Sequence, residues 1–247
     1  MTVNSSVTAT QMAQALVGTG VQVSNAVINC GTGGFGLFNV TGGNLGMQSG
    51  IILTNGSAVN AVGPNSLPSI STNFTPTLPG DPDLNALLFP TPTADACSIE
   101  FDVFVSSDTL SFNYIFGSDE YPEFVSFWPV INDLFGLFIS GPGIVGKQNI
   151  ALVPNTGTFV GINTVNCTVN GAYYVCNTPA GTPFGGVCAT GCPPNFTGTV
   201  TEYDGFTKKL TAKKAVQRCN TYHLKIVIAD GNDDVVDSGL FLEAASL

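Results

Sequence analysis

Short alternations of apolar and polar residues run through most of the chain and predict strands. Val21 to Ile28 sets Val21 and Val23 among polar neighbours. Ser98 to Val105 places Ile99, Phe101, Val103 and Val105 on one face, and Thr109 to Phe116 does the same with Leu110, Phe112, Tyr114 and Phe116. The Ser106-Ser107-Asp108 link between those two runs predicts an antiparallel hairpin. Ile51-Ile52-Leu53, closed by the Asn55-Gly56 turn, reads as a buried strand. Leu134 to Ser140, Ile150 to Val153, Thr199 to Tyr203, Tyr222 to Ala229 and Gly239 to Ala244 complete the strands. A short helix is predicted over Thr8 to Val17, capped by Thr8 or Thr10, with Met12, Ala15 and Leu16 sharing a face. One further helical turn, Asp83 to Phe89, lies in the long Pro/Ser/Thr/Asn stretch from Ala58 to Pro92. Irregular segments of that length are usually functional or pinned by something. No βαβ alternation and no internal repeat is visible. The expected fold is all-β: one domain over 1–247, a two-sheet β-sandwich of jelly-roll type with a short N-terminal helix and long loops.

Charge changes the picture. Only 10% of the 247 residues are charged, against about 25% in an ordinary soluble domain. The first 80 residues contain no Asp, Glu, Lys or Arg. Six of the seven basic residues fall between Lys208 and Lys225, and the net charge is −10. Phosphate contacts need distributed Lys and Arg, so nucleic acid is an improbable partner. No run of 18 apolar residues offers a membrane span, and there is no basic amphipathic helix for an anionic membrane surface. The first residues, Met1 to Ser6, lack the apolar core of a signal peptide, so a secreted protein would have lost its signal or be an excised segment.

Seven cysteines favour an oxidising compartment. The bridging candidates are Cys167, Cys176, Cys188 and Cys192, within a cysteine-rich insertion at about 163–199, together with Cys97 and Cys219; zinc at Cys188-x3-Cys192 is the rival reading. With an odd count, one cysteine is free or pairs with another chain. Asn-x-Ser/Thr sequons occur at Asn4, Asn39, Asn55, Asn73, Asn166 and Asn195.

Catalytic devices are scarce, and no enzyme activity is expected. The glycine triplets Gly31/Gly33/Gly36 and Gly141/Gly143/Gly146 lack a following helix and read as turns. The single histidine, His223, sits in strand alternation. Paired acids such as Glu120 and Glu123 match glycosidases by type only.

The acids are more telling. Asp119, Glu120 and Glu123 gather at one strand end, with Asn132-Asp133 soon after. Asp230, Asp233, Asp234 and Asp237 gather at another, and Asp81 and Asp83 lie in the long loop. Repelling carboxylates without nearby Lys or Arg need a partner, and Ca²⁺ takes 6–8 oxygen ligands of this kind. Asp230, Asn232 and Asp234 open like an EF-hand, but Val235 stands where Gly is required and Phe241 where the bidentate Glu belongs. The ligands expected first are Asp119, Glu120 and Asp230. Asp81, Asp83, Glu123, Asp133, Asp233 and Asp237 stand behind them. Tyr121, Phe124, Phe127 and Trp128 follow the acidic strand end and are read either as a rim that stacks on sugars or as a loop folded onto the core.

Tyr114 to Phe124 (Tyr-Ile-Phe-Gly-Ser-Asp-Glu-Tyr-Pro-Glu-Phe), Asn132 to Pro142, Tyr203 to Thr207, Cys219 to Lys225 and Asp237 to Ala244 together resemble the choice-of-anchor L domain family, in order, over nearly the whole chain. The resemblance implies a large secreted or surface-attached bacterial protein. It also makes Cys219, inside a family motif, an expected core or bridged residue. The expected function is an extracellular, adhesin-type binding module with Ca²⁺-stabilised loops and a glycan or surface polymer as ligand. The alternative is a structural subunit of an extracellular filament or sheath, suggested by the uncharged first third.

Overall fold

Residues 1–18, 21–43, 45–67, 69–126, 130–178 and 200–247 are described in the computed structural model. Two antiparallel sheets pack face to face. The larger runs β1 (Thr2–Asn4), β3 (Phe35–Asn39), β4 (Ser49–Thr54), β14 (Ser238–Glu243), β6 (Thr109–Ser118), β11 (Gly205–Thr207) and β10 (Tyr174–Cys176), with β12 (Leu210–Ala215) also paired to β6. The smaller runs β2 (Gln22–Asn29), β5 (Thr93–Val105), β13 (Asn220–Gly231), β7 (Leu134–Ser140) and β8 (Gln148–Asn149), with β9 (Val160–Gly161) paired to β7. The all-β sandwich expected from the alternation is the fold observed.

The core between the sheets is built from the alternating residues. Ile99, Phe101 and Val103 of β5, Leu224, Ile226 and Ile228 of β13, and Phe135 and Leu137 of β7 face Phe112, Tyr114 and Phe116 of β6 and Leu240 and Leu242 of β14, all of them buried. The predicted hairpin of β5 and β6 does not form. β5 pairs with β2 and β13, and β6 with β11, β12 and β14. The link at 106–108 crosses from one sheet to the other. A period of two fixes which face is buried but not which strand lies alongside.

Two other expected strands shrink. Ile150 to Val153 keeps only the isolated bridge Leu152–Phe159. Asn149 Oδ1 accepts from Leu137 N at 3.1 Å and from Ala151 N at 3.1 Å, so a side chain takes a ladder position and ends β8. In the Thr199 to Tyr203 run, Thr201 makes one isolated bridge to Val62, and Thr199 lies outside the described residues.

Helix α1 (Ala9–Leu16) carries the predicted Thr8 cap, completed by Gln11 as a capping box, and buries Met12, Ala13 and Leu16. Helix α2 (Pro82–Leu88) starts at Asp81, whose side chain accepts from Asp83 N and Leu84 N. Beneath α2, Leu84 packs on Leu134, Phe138, Val227 and Ala229 of the outer face of the smaller sheet.

Cys30, outside the set expected to bridge, is joined to Cys97, tying the end of β2 to β5. Cys176 is also disulfide-bonded, Cys167 is free, and Cys188 and Cys192 lie outside the described residues. Cys219 is free and exposed rather than buried or bridged. It stands at φ 59° where the chain turns from β12 into β13, which leaves its side chain facing outward. Of the sequons, Asn55 and Asn166 are buried and so closed to a glycan, while Asn4, Asn39 and Asn73 are exposed.

On the outer face of the smaller sheet, His223 Nδ1 lies 2.8 Å from Asp102 Oδ1, and Nε2 lies 3.1 Å from Glu100 Oε2. Partial burial works against the imidazolium, but the hydrogen bonds and charges of Asp102 and Glu100 outweigh it and raise the pKa above the ordinary 6.5. Any stability this pair contributes is full below that ordinary value and lost as pH rises through the raised one. An NMR titration is expected to give His223 a pKa above 6.5, and Asp102→Asn to bring it down; a wild-type value at or below 6.5 would remove the interaction.

Candidate metal centre

The ion pairs sort the acids into two groups. Asp81 and Asp83 hold the buried Lys225, at 2.5 and 2.7 Å, and Asp83 also holds Lys147. Glu100, Asp102, Asp108 and Glu243 take the remaining pairs. Six of the 17 acids are thereby paired with a basic side chain. Asp81 and Asp83 are thus not ligands gathered with the rest. They cap and anchor α2 on β13, through a lysine 142 residues along the chain from Asp83.

Most of the other acids converge at one end of the sandwich, and strand pairing explains why. β6 and β14 run antiparallel with Ser118 opposite Ser238, so the end of β6 meets the start of β14. β7 and β13 run antiparallel with Leu134 opposite Ala229, so the start of β7 meets the end of β13. Asn132 N donates to Gly231 O at 3.0 Å, and Gly231 N donates to Asp133 Oδ1 at 3.1 Å. The approach is close enough that a Cβ on Gly231 would fall 2.2 Å from Asn132 O. The two acidic loops meet here as the sequence suggested.

Ligand oxygens of Glu120, Asp133 and Asp233 lie within 4.8 Å of one another. Glu120 is fully buried, its N–H donates to Ser118 Oγ at 2.9 Å, and neither of its carboxylate oxygens accepts a hydrogen bond from any described residue. Burial, followed by the charges of Asp133 and Asp233, pushes its pKa up to about 10. Burial pushes Asp133 to about 7, although Ser238 Oγ at 2.6 Å and the Gly231 N–H oppose the rise. Asp230 is also raised, by burial and then by Asp133. Asn55 holds the group in place: its Nδ2 donates to Asp133 Oδ2 at 3.3 Å and to Asp230 Oδ1, while its Oδ1 accepts from Ser238 N at 2.6 Å.

Two further expected ligands, Asp119 and Asp237, and their acidic neighbours accept hydrogen bonds from the 58–80 segment and from Asp204. Asp119 Oδ1 accepts from Asp204 N at 3.0 Å and Oδ2 from Ile70 N at 3.3 Å. Asp237 accepts from Thr72 N at 2.7 Å and Thr72 Oγ1 at 2.8 Å. Asp234 accepts from Thr77 Oγ1 at 2.6 Å, and Asp95 from Leu78 N at 2.5 Å. Glu202 Oε1 accepts from Ser66 N at 2.8 Å and Leu67 N at 2.7 Å. The long uncharged stretch is therefore a strap, gripped along its main chain by acids around the site. This is what pins it.

Glu202, Asp204 and Asp95 were not singled out from the sequence, and Asn55 was read only as a turn residue and sequon. The Glu202-Tyr203-Asp204 alternation, which sets two acids on the same side of a short extended run, was the available signal. Glu123 is half-buried beside the group and adds its charge to Glu120.

Of the expected aromatic rim, Tyr121 and Phe124 are among the described residues. Tyr121 is fully buried, its hydroxyl donates to Val165 O at 2.5 Å, and its ring lies 4.9 Å from that of Tyr174. Phe124 is partly buried against the main core. Both rings pack onto the protein. Phe127 and Trp128 lie outside the described residues.

An all-oxygen, all-carboxylate group without His or Cys suits a hard cation. Bonds of about 2.3–2.6 Å let one Ca²⁺ reach three oxygens spaced as these are. No helix is long and apolar enough to cross a membrane. No curated protein and no solved structure matches the chain. The model of the choice-of-anchor L domain family matches residues 2–247, so the chain belongs to that family and is a bacterial surface-associated or secreted protein.

Proposed function

We propose that the chain is a calcium-stabilised, adhesin-type binding module of a bacterial surface protein. The observation that carries the calcium is Glu120, whose two buried oxygens have no donor among the described residues and face Asp133 and Asp233. A buried ionised carboxylate must protonate, pair or coordinate. A divalent cation shared by the three relieves the desolvation and the repulsion together.

Binding of a glycan or surface polymer is supported by a cavity of about 260 Å³ beside this site, where the Tyr121 and Tyr174 rings meet polar Ser126, Asn166 and Thr168. Apolar rings with a few polar groups suit a sugar. A second reading, a filament subunit, draws on the edge strands. β1 and β2 end their sheets and carry no charged residue, where natural edges are commonly guarded by charge. Regular fibres of the purified chain under negative stain would favour it, and dispersed protein retained on a glycan array would favour the adhesin.

Elemental analysis of the purified full chain is expected to find Ca²⁺. Melting temperature is expected to fall in excess chelator and recover with Ca²⁺ but not Mg²⁺. Ca²⁺ at a hundredfold over its dissociation constant contributes about 2.7 kcal/mol. An unchanged melting curve, with no metal found, removes calcium from the account.

A further inference from the structure

Beyond the Glu120 group, a second set of oxygens is buried next to Asp119 of the same acidic loop. Asp204 is 2% exposed and Asn177 is 0% exposed. They occupy the extension of the β10–β11 pair, where Asn177 N donates to Asp204 O at 2.8 Å. Asn65 Nδ2 ties them together, donating to Asp204 Oδ1 at 2.6 Å and to the Asn177 carbonyl at 3.1 Å. The second Asp204 oxygen, Oδ2, accepts nothing from the described residues, and neither does Asn177 Oδ1. An amide flip does not rescue Asn177, because its Nδ2 already donates to two carbonyls, Thr201 O at 3.2 Å and Tyr203 O at 2.7 Å. The carboxylates of Glu123 and Glu202 act on Asp204 through space, and Asp204 in turn acts on Asp119.

No cation of the protein is in reach. All seven Lys and Arg are described, and every ion pair they make goes to the acids of the other group. Asp204 is not among the three acids, Glu120, Asp133 and Asp233, whose oxygens lie within 4.8 Å of one another. Two buried acceptors without donors, one anionic and one neutral, are the donor set of a hard cation. They are not that of an anion or of a thiophilic metal.

We propose a second divalent-cation site, centred on Asp204 Oδ2 and Asn177 Oδ1, with Ca²⁺ as the ion. The site rests on its own oxygens, so it stands or falls separately from the Glu120 centre.

The test is stoichiometry. The full wild-type chain is dialysed against Ca²⁺ and its bound calcium counted by elemental analysis, alongside Asp204→Asn and Asp133→Asn. The expected result is two ions in the wild type, one in Asp204→Asn and one in Asp133→Asn. One ion in the wild type, kept by Asp204→Asn and lost by Asp133→Asn, overturns the second site and leaves the first standing. No calcium in the wild type overturns both. If Asp204→Asn fails to fold, the wild-type count still decides, since a single ion refutes the proposal.

Discussion

Replacing Phe135 with alanine is expected to cost about 3–5 kcal/mol, the usual range for emptying a buried aromatic site. The position is chosen by geometry. Phe135 is fully buried on β7, and its ring meets two rings of the opposite sheet: Tyr114 edge-on at 5.0 Å between centroids, and Phe116 stacked at 5.9 Å. Its loss removes an inter-sheet contact rather than a contact within one sheet. Two large neighbours held by strand pairing cannot collapse into the space. For a chain of this length the melting temperature should fall by roughly 6–20 °C. Urea denaturation would check it, with the midpoint moving and the slope unchanged. A loss below about 1 kcal/mol would mean that the core is not closed by this cluster.

Serine at both Cys30 and Cys97 is expected to cost about 4 kcal/mol. The bridge closes 67 residues of sequence separation, and a loop of that size limits the unfolded chain by about that amount in the chain-entropy model. The closed loop contains β3, β4 and the whole strap, so removal of the bridge loosens the unfolded ensemble across that segment. Cys97 Sγ also lies 3.2 Å from Gly34 O, in a buried setting. The comparison to make is oxidised wild type against the double serine variant, by equilibrium unfolding without reductant. Equal stability would show that the bridge contributes nothing in solution.

The sandwich was legible because its core residues alternate strictly; Ile99, Phe101 and Val103 announce a face whatever their neighbours are. The partner of each strand was not legible. β5 and β6 look like a hairpin because the link is short, yet three residues suffice to step between sheets. Convergence of the acids was half legible. Two acidic loops at strand ends could be expected to meet, and the antiparallel register of β6 with β14 and β7 with β13 brings them together. The division of labour among those acids was hidden. Whether an Asp coordinates, caps a helix or grips a main-chain N–H depends on contacts such as Asp83 with Lys225, which no local pattern encodes. Glu202 and Asp204 went unnoticed because they follow a loop dominated by cysteines.

The strap has a consequence for how this protein can change. Its anchors at Ser66, Leu67, Ile70 and Leu78 are main-chain amides donating to carboxylates, and Thr72 offers one as well. Every amino acid but proline supplies such a donor. The acids therefore hold the position of the segment while leaving its identity largely open. Apart from Asn65, Thr72 and Thr77, whose side chains also hold acids, side chains along it are largely free to drift, so the surface above the carboxylates can acquire new character without disturbing the loops beneath. The constraint falls on the acids that do the holding, and on the exclusion of proline from five positions.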